Sequence, residues 1–237
     1  MSTSPRTARQ SNPLLLIAVT VVLPSIILMK LSGPERLGAV GGLLLALSLP
    51  LAWGLYDLVS QRKVNWFAVL GLVSVLLTGG IGLLELGPEW LAVKEAAIPG
   101  LIGLVVLGSV WTGYPLIRTL LYNPSVVNVD RIQAALKSHD SEQIFDSRLR
   151  LATLLLAGTF FFSSAMNYIL AKWLVTSPAG TEAFNEELGK MTLLSYPMIA
   201  IPSMLMMIGV FIFLMRSVKT LTGLDLQDVL HAAKPAD

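Results

Sequence analysis

The sequence predicts an all-α, polytopic membrane protein with six transmembrane helices and both termini in the cytoplasm. Of its 237 residues, 54% are hydrophobic and only 14% are charged, and the mean hydropathy is +0.70. A soluble domain carries roughly 25% charged residues, so this composition requires a solvent in which apolar side chains can face outward. Disordered chains, disulfide-rich modules and cytosolic enzyme cores are disfavoured on the same ground.

Six apolar stretches predict the membrane spans, at residues 13–29, 37–58, 66–84, 96–114, 149–170 and 193–215. Each approaches the roughly 20 residues that a helix needs to cross about 30 Å of hydrocarbon. Stretches such as 43–47 are apolar at every position, whereas a transmembrane β-strand alternates. The spans are therefore predicted to be helices.

The first span could be mistaken for a secretory signal, because Arg6 and Arg9 precede it. The segment after Met29 reads Lys-Leu-Ser-Gly-Pro-Glu-Arg and has no small-x-small cleavage pattern. We therefore expect the first helix to be retained.

Positive charge predicts the orientation. Lysine and arginine number twelve on the side of both termini and five on the opposite side, and cytoplasmic loops carry the excess. Residues 1–12 and 217–237 are thus predicted to be cytoplasmic tails. Residues 13–216 form the predicted transmembrane domain, including a cytoplasmic loop at about 117–148.

The cytoplasmic loop is predicted to contain two short amphipathic helices within residues 129–150. Ile132 and Leu136 have helical spacing, and Asp140 with Gln143 forms a variant of the capping box before a second apolar pair.

On the opposite side, Thr181 is predicted to cap a short surface helix that leads into the sixth span. Glu182 falls in the first turn of this helix, and Phe184, Leu188 and Met191 share one face.

The residue inventory argues against enzymatic, metal and nucleic-acid chemistry. The chain has no cysteine, and its two histidines, His139 and His231, lie outside the predicted spans. Neither a zinc site nor a Ser-His-Asp triad can then be assembled within the bilayer. A net charge of +2 with scattered basic residues does not favour nucleic acid. We predict a protein that is not an enzyme and that uses no cofactor or metal.

Four residues are candidates for a polar site in the membrane: Asn167, Tyr168, Tyr56 and Asp57. Asn167 is the deepest strongly polar side chain, and its amide needs a partner because hydrocarbon offers none. One interpretation is an interhelical hydrogen bond, and the other is contact with a solute. Asp57 ends the second span, where a carboxylate that reaches water is the simpler interpretation.

Glycines mark the predicted helix-packing faces. Gly38 and Gly42 have the Gly-x-x-x-Gly spacing at the start of the second span, and Gly79 and Gly80 cluster near the end of the third. Close approach of neighbouring helices is the predicted consequence.

Five short patterns occur in order between residues 56 and 215: Arg62-Lys63-Val64 before a span ending Thr78-Gly79-Gly80-Ile81-Gly82-Leu83, Trp90-Leu91-Ala92-Val93-Lys94, Pro115-Leu116-Ile117-Arg118, Asn167-Tyr168-Ile169-Leu170-Ala171, and Phe184-Asn185 with Gly189 downstream. Together they resemble the bacterial intracellular septation protein A family over about two thirds of the chain. Lys94 is followed by Glu95 where that family has proline, and the cytoplasmic loop is longer. The resemblance therefore places the chain in a divergent six-span branch.

The resemblance implies a multi-pass protein of the bacterial inner membrane, associated with cell division and envelope upkeep. That family has no agreed catalytic or binding residues, so the resemblance implies none here. The leading hypothesis is a non-enzymatic structural or interaction protein. Its expected partners are the lipid bilayer and other inner-membrane, division or envelope proteins, and a homo-oligomer is left open.

The alternative is a small-solute transporter or channel, indicated by Asn167, Tyr168 and the glycine-lined helix faces. Scarce intramembrane charge and the lack of an internal repeat weigh against it. An intramembrane lipid-modifying enzyme is third, without a nucleophile and base that the sequence identifies.

Overall fold

The structure, a computed structural model, describes residues 16–61, 66–112, 115–121 and 128–224. Every regular element in these ranges is helical, and none of the described residues lies in a strand. The all-α prediction is confirmed. The chain divides into two compact units, the first from residues 1–94 and 168–196 and the second from residues 95–167 and 197–237.

The first half of the chain contains four long helices. Helix α1 spans Ala18–Leu31 and opens with a π-helical turn, Ala18–Val22. It is followed by α2 (Gly38–Gln61), α3 (Trp66–Leu83) and α4 (Pro88–Ser109).

Five further helices complete the described chain. They are α5 (Leu116–Leu121), α6 (Val129–Ser138), α7 (Glu142–Leu174), α8 (Glu182–Ser195) and α9 (Ile201–Thr222). A π-helical turn, Tyr196–Ala200, joins α8 to α9, so that Glu182–Thr222 is helical throughout. Pro202 cannot donate a backbone hydrogen bond to this turn, and π-helical turns accommodate such a missing donor.

Four helical stretches are long and apolar enough to cross a membrane: Gly38–Tyr56, Pro88–Ser109, Glu142–Leu174 and Glu182–Thr222. They correspond to the second, fourth, fifth and sixth predicted spans. At the first and third predicted spans, the described residues give shorter apolar helical stretches, Ala18–Leu31 and the Val69–Leu83 part of α3.

Exposed tryptophans mark the two ends of α4. Trp90 lies in its first turn and is 57% exposed, and Trp111 lies just beyond its last residue and is 74% exposed. The helix has 22 residues, which is roughly 33 Å at 1.5 Å per residue. Tryptophan is enriched at both membrane interfaces, so this spacing fits a membrane-spanning helix.

The loop that the sequence predicts to be cytoplasmic differs from its prediction in one respect. Helix α6 is the first of the two predicted amphipathic helices, and it ends where Asp140 adopts a φ of +49°. The second is not a separate short helix but the first turns of the 33-residue α7. The physical reason is that no glycine or proline interrupts residues 142–157, and the buried Phe145 and Leu149 continue one face into the apolar part of α7.

The end of α6 has the geometry of a Schellman motif. The N–H of Ser141 donates to the carbonyl of Leu136 at 3.0 Å, and that of Asp140 donates to the carbonyl of Lys137 at 3.3 Å. The chain thereby reverses before α7 begins.

The core of the second unit covers the apolar face of α6. Ile132 and Leu136 are 1% and 3% exposed and pack in one cluster with Phe145, Leu149 and Val218. Burying side chains of this size stabilises by roughly 1.5–3 kcal/mol each where the alternative is water. Helix α6 is therefore attached to α7 and α9 by its own hydrophobic face.

The predicted cap of α8 is confirmed. The hydroxyl of Thr181 accepts a hydrogen bond from the N–H of Phe184 at 3.2 Å. Phe184, Leu188 and Met191 are all buried, and α8 packs against α1. The predicted surface helix is thus amphipathic, with its apolar face turned toward α1 within the first unit.

Candidate functional site

Asn185, in α8, is a buried polar side chain of the first unit that bonds to two other helices. Its Nδ2 donates to the hydroxyl of Ser32 at 3.0 Å and to the carbonyl of Ala39 at 2.7 Å. Ser32 caps the end of α1, and Ala39 lies in the first turn of α2. One amide, 1% exposed, thus joins three helices, and we call this contact the Asn185 junction.

Two glycines let the helices approach closely around the Asn185 junction. A Cβ atom added at Gly189, one turn after Asn185, would lie 2.9 Å from the carbonyl oxygen of Ser25 and 2.8 Å from Cγ of Met29. One added at Gly42 would lie 3.0 Å from Cα of Ser32 and would overlap its hydroxyl. Both distances require the neighbours to move, so neither position accepts a side chain freely.

The Asn185 junction also contains two buried polar atoms without a hydrogen-bond partner among the described residues, Oδ1 of Asn185 and the hydroxyl of Ser25. A buried acceptor without a donor costs roughly 1–3 kcal/mol. This cost offsets part of the stabilisation that the two hydrogen bonds of Asn185 supply.

A buried lysine forms a second polar cluster in the first unit. Lys94, in α4, is 8% exposed, and its Nζ donates to the hydroxyls of Thr78 at 2.7 Å and Ser74 at 3.3 Å. Thr78 in turn donates to the carbonyl of Ser74 at 3.0 Å. The spacing of four residues puts both hydroxyls on one face of α3, where they solvate the ammonium group. We call this the Lys94 cluster.

Glu187 fixes the segment between α7 and α8. Its carboxylate accepts hydrogen bonds from the N–H groups of Thr176 and Ser177, both at 2.9 Å, and from the hydroxyl of Ser177 at 2.8 Å. Charge-assisted bonds of this kind are among the stronger hydrogen bonds in proteins. This loop is thus held by one acid on α8.

Asn167 does not make the predicted interhelical bond. Its Nδ2 donates to the carbonyl of Ser163 at 2.8 Å, one turn earlier in the same helix. The bond between helices belongs instead to Ser164, whose hydroxyl donates to the carbonyl of Ala96 in α4 at 2.8 Å. Gly100 allows the two helices to approach closely here, because a Cβ atom at this position would lie only 3.0 Å from the Ser164 hydroxyl oxygen.

Neither tyrosine of the predicted polar set is buried. Tyr168 is 43% exposed and Tyr56 is 69% exposed. The side chain of Asp57 lies outside the described residues, although its backbone belongs to α2.

The four packing glycines have different surroundings. Gly38 adopts a φ of +70° with open space around it. Its backbone conformation, and not close packing, therefore explains why this position is glycine. A Cβ atom on Gly79 would lie 3.0 Å from Leu47 Cδ1, whereas one on Gly80 would meet nothing within 4 Å. Of the Gly38 and Gly42 pair, only Gly42 is tightly packed.

The sequence analysis did not select Asn185 or Lys94 as site residues. Asn185 lies on the same face of α8 as the apolar Leu188. A buried amide needs hydrogen-bond partners, so an asparagine on an apolar helix face was the signal that could have identified it as a site residue. Lys94 entered the sequence predictions only as the last residue of the pattern Trp90-Leu91-Ala92-Val93-Lys94. Its two hydroxyl partners are 16 and 20 residues away in sequence, so no local pattern indicates them.

No group of three metal-ligating side chains occurs among the described residues. The polar contacts described above join helices or fix loops. Together with the four helical stretches that are long and apolar enough to cross a membrane, they are those of a helical protein of the transmembrane class. No family model, curated protein or solved structure matches this chain.

Proposed function

We propose that the chain is a non-enzymatic structural or interaction protein of the bacterial inner membrane, with a role in cell-envelope or cell-division maintenance like that of the septation protein A family it resembles. The Asn185 junction carries the proposal. A side chain that commits both amide hydrogens to neighbouring helices acts in assembly of the helix bundle. The family resemblance supplies the cellular role by analogy.

The surroundings of Asn167 support the same proposal. The alternative interpretation of Asn167 required an amide available to a solute. Its Nδ2 donates to the carbonyl of Ser163 in its own helix, so the amide nitrogen has a local partner in the same helix.

The proposed topology has six spans with both termini in the cytoplasm. Helix α1 supports a retained first span, because it packs against α8 through Ser25 and Gly189 and is bonded to Asn185 through Ser32. A cleaved signal would leave this face of α8, with the buried Phe184 and Leu188, uncovered.

Helix α6 indicates which surface contacts a partner. Its apolar face is buried against its own unit, so a partner would meet the opposite face, where Asp130, Gln133 and Lys137 are exposed. A polar, mixed-charge surface suits a reversible contact, since transient interfaces are more polar than obligate ones.

Site-specific photo-crosslinking in cells tests this proposal. A photoreactive residue at Gln133 should give reproducible protein adducts, whereas one at Leu205, which is 60% exposed on apolar α9, should react mainly with lipid. Both variants must first complement a deletion strain. Adducts absent at Gln133 in a complementing strain would contradict the partner role of α6.

A small-solute transporter or channel is the alternative, and the Lys94 cluster is the observation that favours it. A cation bonded to two hydroxyls between apolar helices has the donor chemistry of an anion site. Reconstituted protein should then carry a small anion across vesicles, and Lys94→Met should abolish that flux while the folded amount stays unchanged. Absence of flux from well-folded protein in vesicles would favour the structural role.

A further inference from the structure

Four basic residues of the second unit lie at the ends of the apolar parts of two long helices. In α7, Arg148 and Arg150 come directly before the apolar stretch that begins at Leu151, and in α9, Arg216 comes directly after the one that ends at Met215. Arg148, Arg150, Arg216 and Lys219 are all exposed.

A cation–π contact fixes the relative position of α7 and α9 at this level. The guanidinium carbon of Arg148 lies 5.7 Å from the centre of the Phe213 ring. Arg216 follows Phe213 by three residues, so the two side chains start from the same side of α9. The cation of Arg148 is thereby held beside Phe213, within one turn of Arg216 along α9.

Stacking on an aromatic ring uses the flat face of a guanidinium group and leaves its N–H groups free in the plane. Those N–H groups match the oxygens of a phosphate in a bidentate arrangement. Arg148 is therefore oriented by Phe213 without losing its capacity to bind an oxyanion.

No acid on either helix neutralises the two arginines. The residues one turn from Arg148 in α7 are Ile144, Phe145, Leu151 and Ala152, and those one turn from Arg216 in α9 are Ile212, Phe213, Lys219 and Thr220. Asp146, the nearest acid in sequence, lies 3.7 Å from Arg118. Within the described part of the chain, no ion pair is formed by Arg148 or Arg216.

We propose that Arg148 and Arg216 bind the phosphate of an anionic membrane phospholipid. Both arginines lie at the ends of apolar helical stretches, and this favours a lipid as the ligand. The acyl chains of a lipid can lie along the exposed apolar side chains of α9, such as Ile208 and Ile212. Basic residues at this level attract anionic headgroups. The site requires only that α7 and α9 cross a bilayer, and it is independent of the proposed cellular role.

The test is lipid titration of the purified full chain in a mild non-ionic detergent. Phosphatidylglycerol should raise the thermal unfolding midpoint, because a ligand that binds only the folded state stabilises it. Phosphatidylcholine and inorganic phosphate, in separate arms, should not. The Arg148→Gln/Arg216→Gln double variant should weaken the apparent affinity for phosphatidylglycerol by roughly 30-fold, since each cation near an anionic surface contributes about fivefold.

Lys172→Gln is the matched control, because it removes one exposed positive charge at the other end of α7; its affinity should stay within about twofold of the parent. If the glutamine variant does not fold, Arg148→Lys/Arg216→Lys keeps both charges and should lose only the bidentate geometry, with about a fivefold weaker affinity. Unchanged affinity in the double variants would overturn the site. Equal stabilisation by phosphatidylcholine or by inorganic phosphate would overturn its assignment to an anionic lipid.

Discussion

Asn185 and Asn167 are the same residue type in two long helices, but their amides have different roles. Asn185 donates to side-chain and backbone oxygens of two other helices, whereas Asn167 donates to the previous turn of its own helix. A bond inside one helix already exists when that helix forms in the membrane, so it contributes little to the association of helices. The stability of the bundle should therefore depend on Asn185.

Asn185→Ala should lower the free energy of unfolding in detergent by about 1–2 kcal/mol, because two interhelical hydrogen bonds are lost. Asn167→Ala should lower it by less than about 0.5 kcal/mol, since only a bond within α7 is removed. Thermal or denaturant unfolding of both variants measures the difference. Equal losses would contradict the distinction between the two amides.

At the scale of helices, packing in the first unit depends on small residues that face a neighbouring backbone or side chain. Gly189 meets the backbone of α1, and Gly42 meets Ser32 at its end. Gly80 also lies within a helix, but a Cβ atom added there would meet no other atom within 4 Å. Glycine in a sequence therefore indicates close approach only when the tertiary structure places another helix beside it.

Gly42→Ala and Gly189→Ala should each destabilise the protein by about 1–3 kcal/mol, because the added methyl group overlaps atoms of α1 or its end. Gly80→Ala, the matched control in α3, should be neutral or stabilising by up to about 1 kcal/mol, since alanine is the better helix former. Unfolding midpoints of the three variants provide the measurement. Destabilisation by Gly80→Ala comparable with the other two would contradict the packing described here.

At the scale of the whole molecule, exposed apolar surface and helix length determine its environment. Exposed residues of α9 include Met204, Leu205, Met207 and Phe211, an apolar face that water would not tolerate. Four helical stretches reach the length of a membrane span. The orientation of those helices is a separate prediction, derived from the excess of lysine and arginine.

Single cysteines test the orientation, because the chain has none of its own. Both Ser138 and Ala183 are exposed, beside opposite ends of α7. In cells with a permeable outer barrier, a membrane-impermeant thiol reagent should label Ala183→Cys but should label Ser138→Cys only after lysis. Labelling of Ser138→Cys in intact cells would reverse the proposed topology.

The sequence by itself determined the membrane class, the helical elements and the cap at Thr181. Local signals suffice for these features, since hydropathy over about 20 residues and a hydroxyl at a helix start act within one segment. Thr181 illustrates this, because its capping bond to Phe184 spans three residues. The sequence did not determine where α7 begins, because the capping signal at Asp140 fitted a short helix as well as a long one.

Only the tertiary structure decided which polar side chains connect helices. The partners of Asn185 lie 146 and 153 residues away along the chain, and those of Lys94 lie 16 and 20 residues away on another helix. A periodic pattern shows that a residue lies on a buried face, but it does not identify the atoms opposite that face. Asn167 was selected for its depth and bonds to its own helix, whereas Asn185 gained its role from the approach of α1 and α2.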